Sequence, residues 1–244
     1  GKGCPKCGNH LSTGEDFIYN ELVGELGDGN VIKNYHGALD NGKEIDIYVP
    51  SYKFGIEFNG LRWHSEQFGK DRHYHLDKKE KCAERGINLI HVFVDEYLYH
   101  KEALMSKIRH MLGLNKGLKR IAARKCDVRI ISDDGAVKEF LDKNHIQGYC
   151  SATVHMGLFF DDELVSVMSF TKVGRSGEWI LSRFASDVRY IVQGGAGKLF
   201  KWFVDEYDVV TVKTFLDRRY ENGKEDNLYD KLGFVFDGIV KPKR

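Results

Sequence analysis

The 244-residue sequence predicts an α/β protein built in two successive parts, and three observations carry that prediction. Its length exceeds what one hydrophobic core usually needs and suits two domains of about 100 to 130 residues. Short apolar runs alternate with charged stretches of helical period in both halves. The charge is unevenly spread: residues 1–100 carry 12 basic and 16 acidic side chains, residues 101–131 carry 9 and 2, and residues 132–244 carry 16 and 18. The formal net charge of +1 therefore averages two mildly acidic parts around a basic joint of net charge +7.

The composition excludes several classes. Forty-two per cent hydrophobic residues, 12% aromatic residues and three prolines describe a chain that folds, neither disordered nor collagen-like. No apolar run approaches the roughly 20 residues of a membrane span, and no signal-peptide core follows the start, so a cytoplasmic protein with no membrane partner is expected. Five scattered cysteines, an odd number, make no disulfide framework in a chain this long and fit a reducing compartment.

In chain order, the first helix is expected from about Glu15 to Leu26, ended by Gly27-Asp28-Gly29. Strands are expected at 31–36, 43–49 and 53–59. A charged helix at about 71–85 stops at Gly86, and INLIHVFV reads as a buried strand. The joint carries Leu104, Ile108, Met111 and Leu112 at helical spacing, then a Gly-containing break, then the basic cluster Lys116, Lys119, Arg120, Arg124 and Lys125. Beyond it, a helix at 135–144 precedes strands at 152–160, 163–170 and 178–184. A Gly-rich turn at 194–197 opens a helix to about Glu206, and a strand follows at 209–215.

The most informative stretch is KEIDIYVPSYKFGIEFNGLRWHSE. Asp46 sits between Ile45 and Ile47 and Glu57 between Ile56 and Phe58, so each acid points opposite to two core residues of its strand. Two carboxylates on adjacent strands can converge on one point and suit a hard divalent cation such as Mg²⁺. His64, a few residues on, could act there as a proton acceptor, the combination that phosphodiester hydrolysis needs. The spacing equally allows an exposed Asp46 with Glu57 as its neighbour in a surface pair, and a packing role for His64 beside Trp63. Lys78 on the charged helix reads first as a solvated side chain.

This segment resembles the PD-(D/E)XK nuclease superfamily, and within it the very-short-patch-repair-like and phage homing endonucleases. The match comprises a helix acid, Glu21, about 25 residues before Asp46, the apolar strand GIEFNG, and Trp63-His64. Asn59 stands where the family has Lys, so His64 or Lys78 would supply part of that role. The resemblance implies a restriction-endonuclease-like core with a central mixed sheet, with Asp46 and Glu57 as Mg²⁺ ligands and Glu21 a water-mediated one. His64 would be the general base or leaving-group donor, and Glu66 is a weaker candidate. At the start, Cys4 and Cys7 form one C-x-x-C knuckle of a zinc ribbon, with His10 a third candidate ligand. A bound Zn²⁺ there would need four.

In the second half, VQGGAGKLFKWF has the form of a Gly-rich turn entering a helix, which presents backbone N–H groups to phosphate. With the hairpin ATVHMGLFFDDELVSVMSF and the Tyr229, Gly233, Phe234 element, it resembles the GNAT N-acetyltransferase fold. Val192 stands where that family's loop usually begins with Arg or Gln. The glycines could instead serve only a tight strand-to-helix turn. Arg175, Arg183, Arg189, Arg218 and Arg219 are candidate phosphate contacts or ordinary surface.

The expected organisation is thus a partial zinc-ribbon-like knuckle at 1–12, a nuclease domain at 13–100, a basic helical linker at 101–131 and a GNAT-like domain at 132–244. The leading functional expectation is a Mg²⁺-dependent, site-specific DNA endonuclease of the phage homing type. Double-stranded DNA would be its partner, held partly by the basic joint, with room for a homo-oligomer. The alternative is a GNAT-type acyltransferase modifying nucleic acid, with the nuclease-like part holding DNA. A third reading has both scaffolds binding without catalysis.

Overall fold

A computed structural model describes residues 5–37, 39, 44–60, 73–220 and 227–240, with the side chains of 5–12 and 73–76 outside the description. The chain forms two units, Gly1–Lys116 with Asp217–Asn222, and Gly117–Leu216 with Gly223–Arg244. The basic joint is shared between them. Its helical part belongs to the first unit and its basic cluster from Lys119 onward to the second.

In the first unit, helix α1 (Pro5–Leu26) precedes strands β1 (Ile32–Tyr35), β2 (Ile45–Val49) and β3 (Phe54–Asn59). Helix α2 (His73–Glu84), β4 (Asn88–Phe93), α3 (Val94–Tyr99) and α4 (Lys101–Met111) follow. The sheet order is β1-β2-β3-β4, antiparallel except for the parallel β3/β4 pair, a mixed sheet. Helix α1 begins ten residues before the expected Glu15 and runs through Gly14. A Cβ at Gly14 would lie 2.2 Å from the Phe58 ring, so glycine inside this helix allows its close approach to β3. Ile18 and Leu22, one helical turn apart on the same face, are fully buried with Ile45, Ile47 and Ile56.

In the second unit, β5 (Lys119–Ala122), β6 (Asp127–Ile130), α5 (Asp134–Asn144), β7 (Val154–Phe160), β8 (Glu163–Val173) and β9 (Glu178–Ser186) lead to β10 (Tyr190–Gln193). Helix α6 (Gly195–Glu206), β11 (Thr211–Lys213) and the single turn α7 (Leu228–Lys231) complete it. A five-stranded sheet runs β11-β9-β8-β7-β6, with β11 parallel to β9 and the rest antiparallel. Strands β5 and β10 form a separate parallel pair. Helix α6 contributes Leu199 and Phe203 to a core with Met156, Leu158, Phe170 and Trp179. Helix α5 buries Val137 and Leu141 in a second cluster with Val167 and Ala185. Among the described residues no helix is long and apolar enough to cross a membrane.

Phe203 anchors the larger core. It is fully buried, stacks on Phe170 with ring centroids 3.6 Å apart, and meets Trp179 edge-on at 5.0 Å. Phe203→Ala should cost about 3–5 kcal/mol of unfolding free energy, read by urea denaturation. A loss below about 1 kcal/mol would contradict this packing role.

Candidate functional site

The first unit brings three of the expected residues together. The β2/β3 register pairs Ile47 with Ile56, so Asp46 and Glu57 are the next facing positions beyond that ladder. Asp46 Oδ2 accepts a hydrogen bond from the Phe58 backbone N–H at 2.7 Å, which ties the acid across the strands. Glu57 is buried. Lys78 is not a solvated helix residue: it is 4% exposed, and its Nζ donates to Glu57 Oε1 and to the Glu44 carbonyl, each at 2.5 Å. Burial first, then the neighbouring Asp46 charge, push the Glu57 carboxyl up from 4.5 to about 7, against the opposing pull of Lys78.

One expected participant is placed elsewhere. Glu21 faces α4, where Arg109 donates to Glu21 Oε2 at 2.7 Å and to Glu25 Oε1 at 2.5 Å. The α1 acid within reach of Asp46 is Glu15, whose carboxyl is raised by burial and then by the Asp46 charge. Glu15 lies next to Gly14, where the helix closely approaches Phe58 of β3. Asn59, which stands at the family's Lys position, packs at the end of β3. Its Nδ2 donates to the Glu57 and Val92 carbonyls and lies 3.2 Å from His91 Nδ1, which holds the ends of β3 and β4 together.

His64, Glu66 and Cys4 lie outside the described residues, as do the side chains of Cys7 and His10. The backbone of residues 5–12, read as a knuckle, forms the first turns of α1. Among the described residues, no group of three or more His, Cys, Asp or Glu side chains could hold a metal ion.

The arginines proposed as phosphate contacts are largely engaged. Arg183 donates to the Gly148 and Ser182 carbonyls, and Arg189 to Asp187 and Glu163. Arg219, within the first unit, donates to Glu96 Oε1 at 2.8 Å and to Asp217. In contrast Lys116, Lys119, Arg120, Arg124 and Lys125 are all exposed.

In the second unit the Gly-rich turn forms a cleft. Gly194 has φ 77°, a left-handed conformation that a side chain would strain, and it leads directly into α6. The Lys198 N–H donates to the Gly194 carbonyl at 3.0 Å as the first bond of the helix, so the N–H groups of Gly195, Ala196 and Gly197 have no intrahelical acceptor. Each glycine has its own reason. A Cβ at Gly195 would meet Val192 at 3.0 Å and Leu158 at 3.3 Å, whereas one at Gly197 would meet nothing within 4 Å. The turn and the packing account for Gly194 and Gly195, while Gly197 leaves the helix end open. Lys198 Nζ donates to the Ala123 and Cys126 carbonyls, at 3.1 and 2.5 Å, and so ties the 3-10 turn Ala123–Lys125 to α6. The result is a cleft of about 470 Å³ lined by Ala122, Ala123, Arg124, Gln193, Gly194 and Lys198.

No protein-family model and no curated protein matches the chain. Among solved structures, a Deinococcus radiodurans R1 protein assigned as an acetyltransferase is similar, at 10% identity and a TM-score of 0.38, over 52% of this chain and 94% of that one. A GNAT-family acetyltransferase from Streptococcus pneumoniae TIGR4 is similar at 14% identity and a TM-score of 0.36, over 49% of this chain and 97% of that one.

These comparisons overturn the endonuclease expectation. The similar solved structures are acetyltransferases, which are transferases and not phosphodiester hydrolases, and none of the reported similarities is to a homing enzyme or a PD-(D/E)XK nuclease core. In the first unit Lys78, one of the two residues offered for the family lysine's place, meets Glu57 next to Asp46.

The raised Glu57 carboxyl has a definite pH signature. Its folded value lies above the unfolded one, so the stability it contributes is full below about pH 4.5 and is lost as pH rises through about 7. A ¹³C titration of the Glu57 side chain should give a midpoint near 7, moved lower by Asp46→Asn and higher by Lys78→Met. A midpoint near 4.5 that neither substitution moves would contradict the cluster.

Proposed function

We propose that the second unit is a GNAT-like acyltransferase domain that binds a phosphate-bearing acyl thioester of the acyl-CoA class. The observation that carries the reading is the open helix end at Gly197 above a cleft containing Arg124 and Lys198. Three N–H groups without intrahelical acceptors, the positive end of the helix dipole and a guanidinium together favour a pyrophosphate. In the reaction proposed, an acceptor amine attacks the thioester carbonyl, the C–S bond breaks, and the amine proton leaves with the thiolate. The contribution assigned to this chain's residues is to hold the carrier. Glycine at 197 lets the phosphates approach the backbone, and Lys198 keeps the turn bearing Arg124 in place.

The acceptor proposed is nucleic acid, with double-stranded DNA as the partner. Support comes from the exposed basic set Lys119, Arg120, Arg124 and Lys125, which surrounds the same turn. The corresponding interactions are with the phosphate backbone, so binding should be salt-sensitive and indifferent to sequence.

Two outcomes are expected. Acetyl-CoA should raise the melting temperature, with a stabilisation of about 2.7 kcal/mol at one hundred times Kd. Gly197→Asp should keep the fold, since an acid suits a helix N-terminus, yet abolish the shift by repelling the phosphates. A flat response of the parent protein to acetyl-CoA would refute the carrier site. Separately, the triple variant Lys119→Ala, Arg120→Ala, Lys125→Ala should weaken duplex binding and lower the slope of log K against log salt by about 0.9 per lost phosphate contact. An unchanged slope would remove these residues from the nucleic-acid surface.

A further inference from the structure

Residues 217–220 belong to the first unit, while the chain before and after them, up to Leu216 and from Gly223, belongs to the second. The second unit holds both flanks. The Thr214 hydroxyl donates to the Leu181 carbonyl at 3.2 Å ahead of the segment, and Tyr229 and Phe234 pack on the larger core after it. Between these anchors the 3-10 turn Arg218–Tyr220 engages four elements of the first unit. Arg219 donates to Glu96 Oε1 of α3 at 2.8 Å and to the His91 carbonyl of β4 at 3.4 Å, and the Tyr220 hydroxyl donates to Glu96 Oε2 at 3.0 Å. Lys79 of α2 donates to the Arg218 and Arg219 carbonyls at 2.5 and 3.0 Å, and Lys107 of α4 lies 5.7 Å from the centre of the Tyr220 ring. Glu96 is buried and accepts a further bond from the Phe93 N–H at the start of α3. Withdrawing the segment would strip that carboxylate of its guanidinium and its hydroxyl, and a buried charge left without its partner is costly. The segment also lies against the edge strand of the first sheet, β4.

We propose that residues 217–220 are a strap through which the folding of the second unit controls the order of β4 and α3 in the first. The reason is chain topology. The strap reaches its place only by closing a loop over Gly117–Leu216, a stretch of 100 residues. While that stretch is folded its ends are held, and the strap binds as a tethered ligand at a high effective concentration. Once it unfolds, closing the loop costs (3/2)RT ln n plus a constant, which for a hundred residues is about a thousandfold in the docking equilibrium. The strap then leaves, and Glu96 loses its partners. The elements it holds are those that carry the Glu57 cluster: Lys79 follows Lys78 on α2, and His91 is registered opposite Glu57. The state of the second unit is thereby passed to the charged cluster of the first.

Hydrogen–deuterium exchange of the full chain, followed peptide by peptide, tests this. Arg219→Ala with Tyr220→Phe should keep the far-ultraviolet circular dichroism of the parent and speed exchange across residues 88–99 by about tenfold or more, the loss expected for hydrogen bonds to a charged group. Tyr220→Phe alone keeps the ring and its packing, and should show the same pattern at smaller size. Phe203→Ala, which weakens the core of the second unit, should speed exchange at 88–99 as well as within its own unit. With all three substitutions, exchange at 88–99 should be no faster than in the strap variant, because the route from the second unit has been removed. Unchanged exchange at 88–99 in the strap variant would overturn the proposal. So would a Phe203→Ala effect confined to the second unit, or one that persists in full at 88–99 when the strap is disabled.

Discussion

Phe203 lies face to face with Phe170, and the rest of the second unit is arranged around that contact. It sets α6 flat on the sheet through a buried aromatic group that also includes Trp179 and Tyr207. Once the helix axis is fixed there, the position of its first turn is fixed as well. Gly194 must take a left-handed turn to deliver β10 into the helix, and Gly195 must lack a side chain to pass Val192 and Leu158. The cleft follows from the core. A ligand would meet preformed N–H groups, without ordering cost at the moment of binding.

The first unit illustrates a different balance. Glu57, Lys78 and Asp46 are gathered where charge is expensive, and the carboxyl responds by holding its proton to about pH 7. Lys78 both satisfies Glu57 and joins α2 to the sheet through the Glu44 carbonyl. Buried ion pairs of this kind are weak contributors to stability but costly to break, because the remaining charge is left without a partner.

Much of the fold was legible because the hydrophobic periods are clean. The alternation in 45–49 and 54–58 and the Gly86 stop placed strands and helices to within a few residues. What was not legible has particular causes. Strand β5 is short and its partner β10 lies far away in sequence, so the run does not announce a strand by itself. Helix α1 starts ten residues before the expected Glu15 and carries Gly14 inside it as a close contact with Phe58. Lys78 was read as solvated because it lies among charged neighbours, and only the fold shows that its helix turns it inward. Glu21 came from the family spacing alone, and in the fold it meets Arg109 on α4. The greatest error was functional. Paired strand acids were legible as a constellation, but the chemistry assigned to them came from a short motif, whereas the glycine turn was discounted because Val192 departs from the expected pattern. The open space at Gly197 depends on the three-dimensional packing and has no signature in the sequence.

The central claim is that the α6 N-terminus and the Arg124 turn receive the phosphates of an acyl carrier. Backbone amide resonances of the ¹⁵N-labelled protein, followed during titration with acetyl-CoA, test it most directly. The account predicts saturable shifts concentrated at residues 195–198 and 122–124, with Gly197 among the largest. Resonances that do not move at those positions, or shifts confined to the first unit, would contradict it.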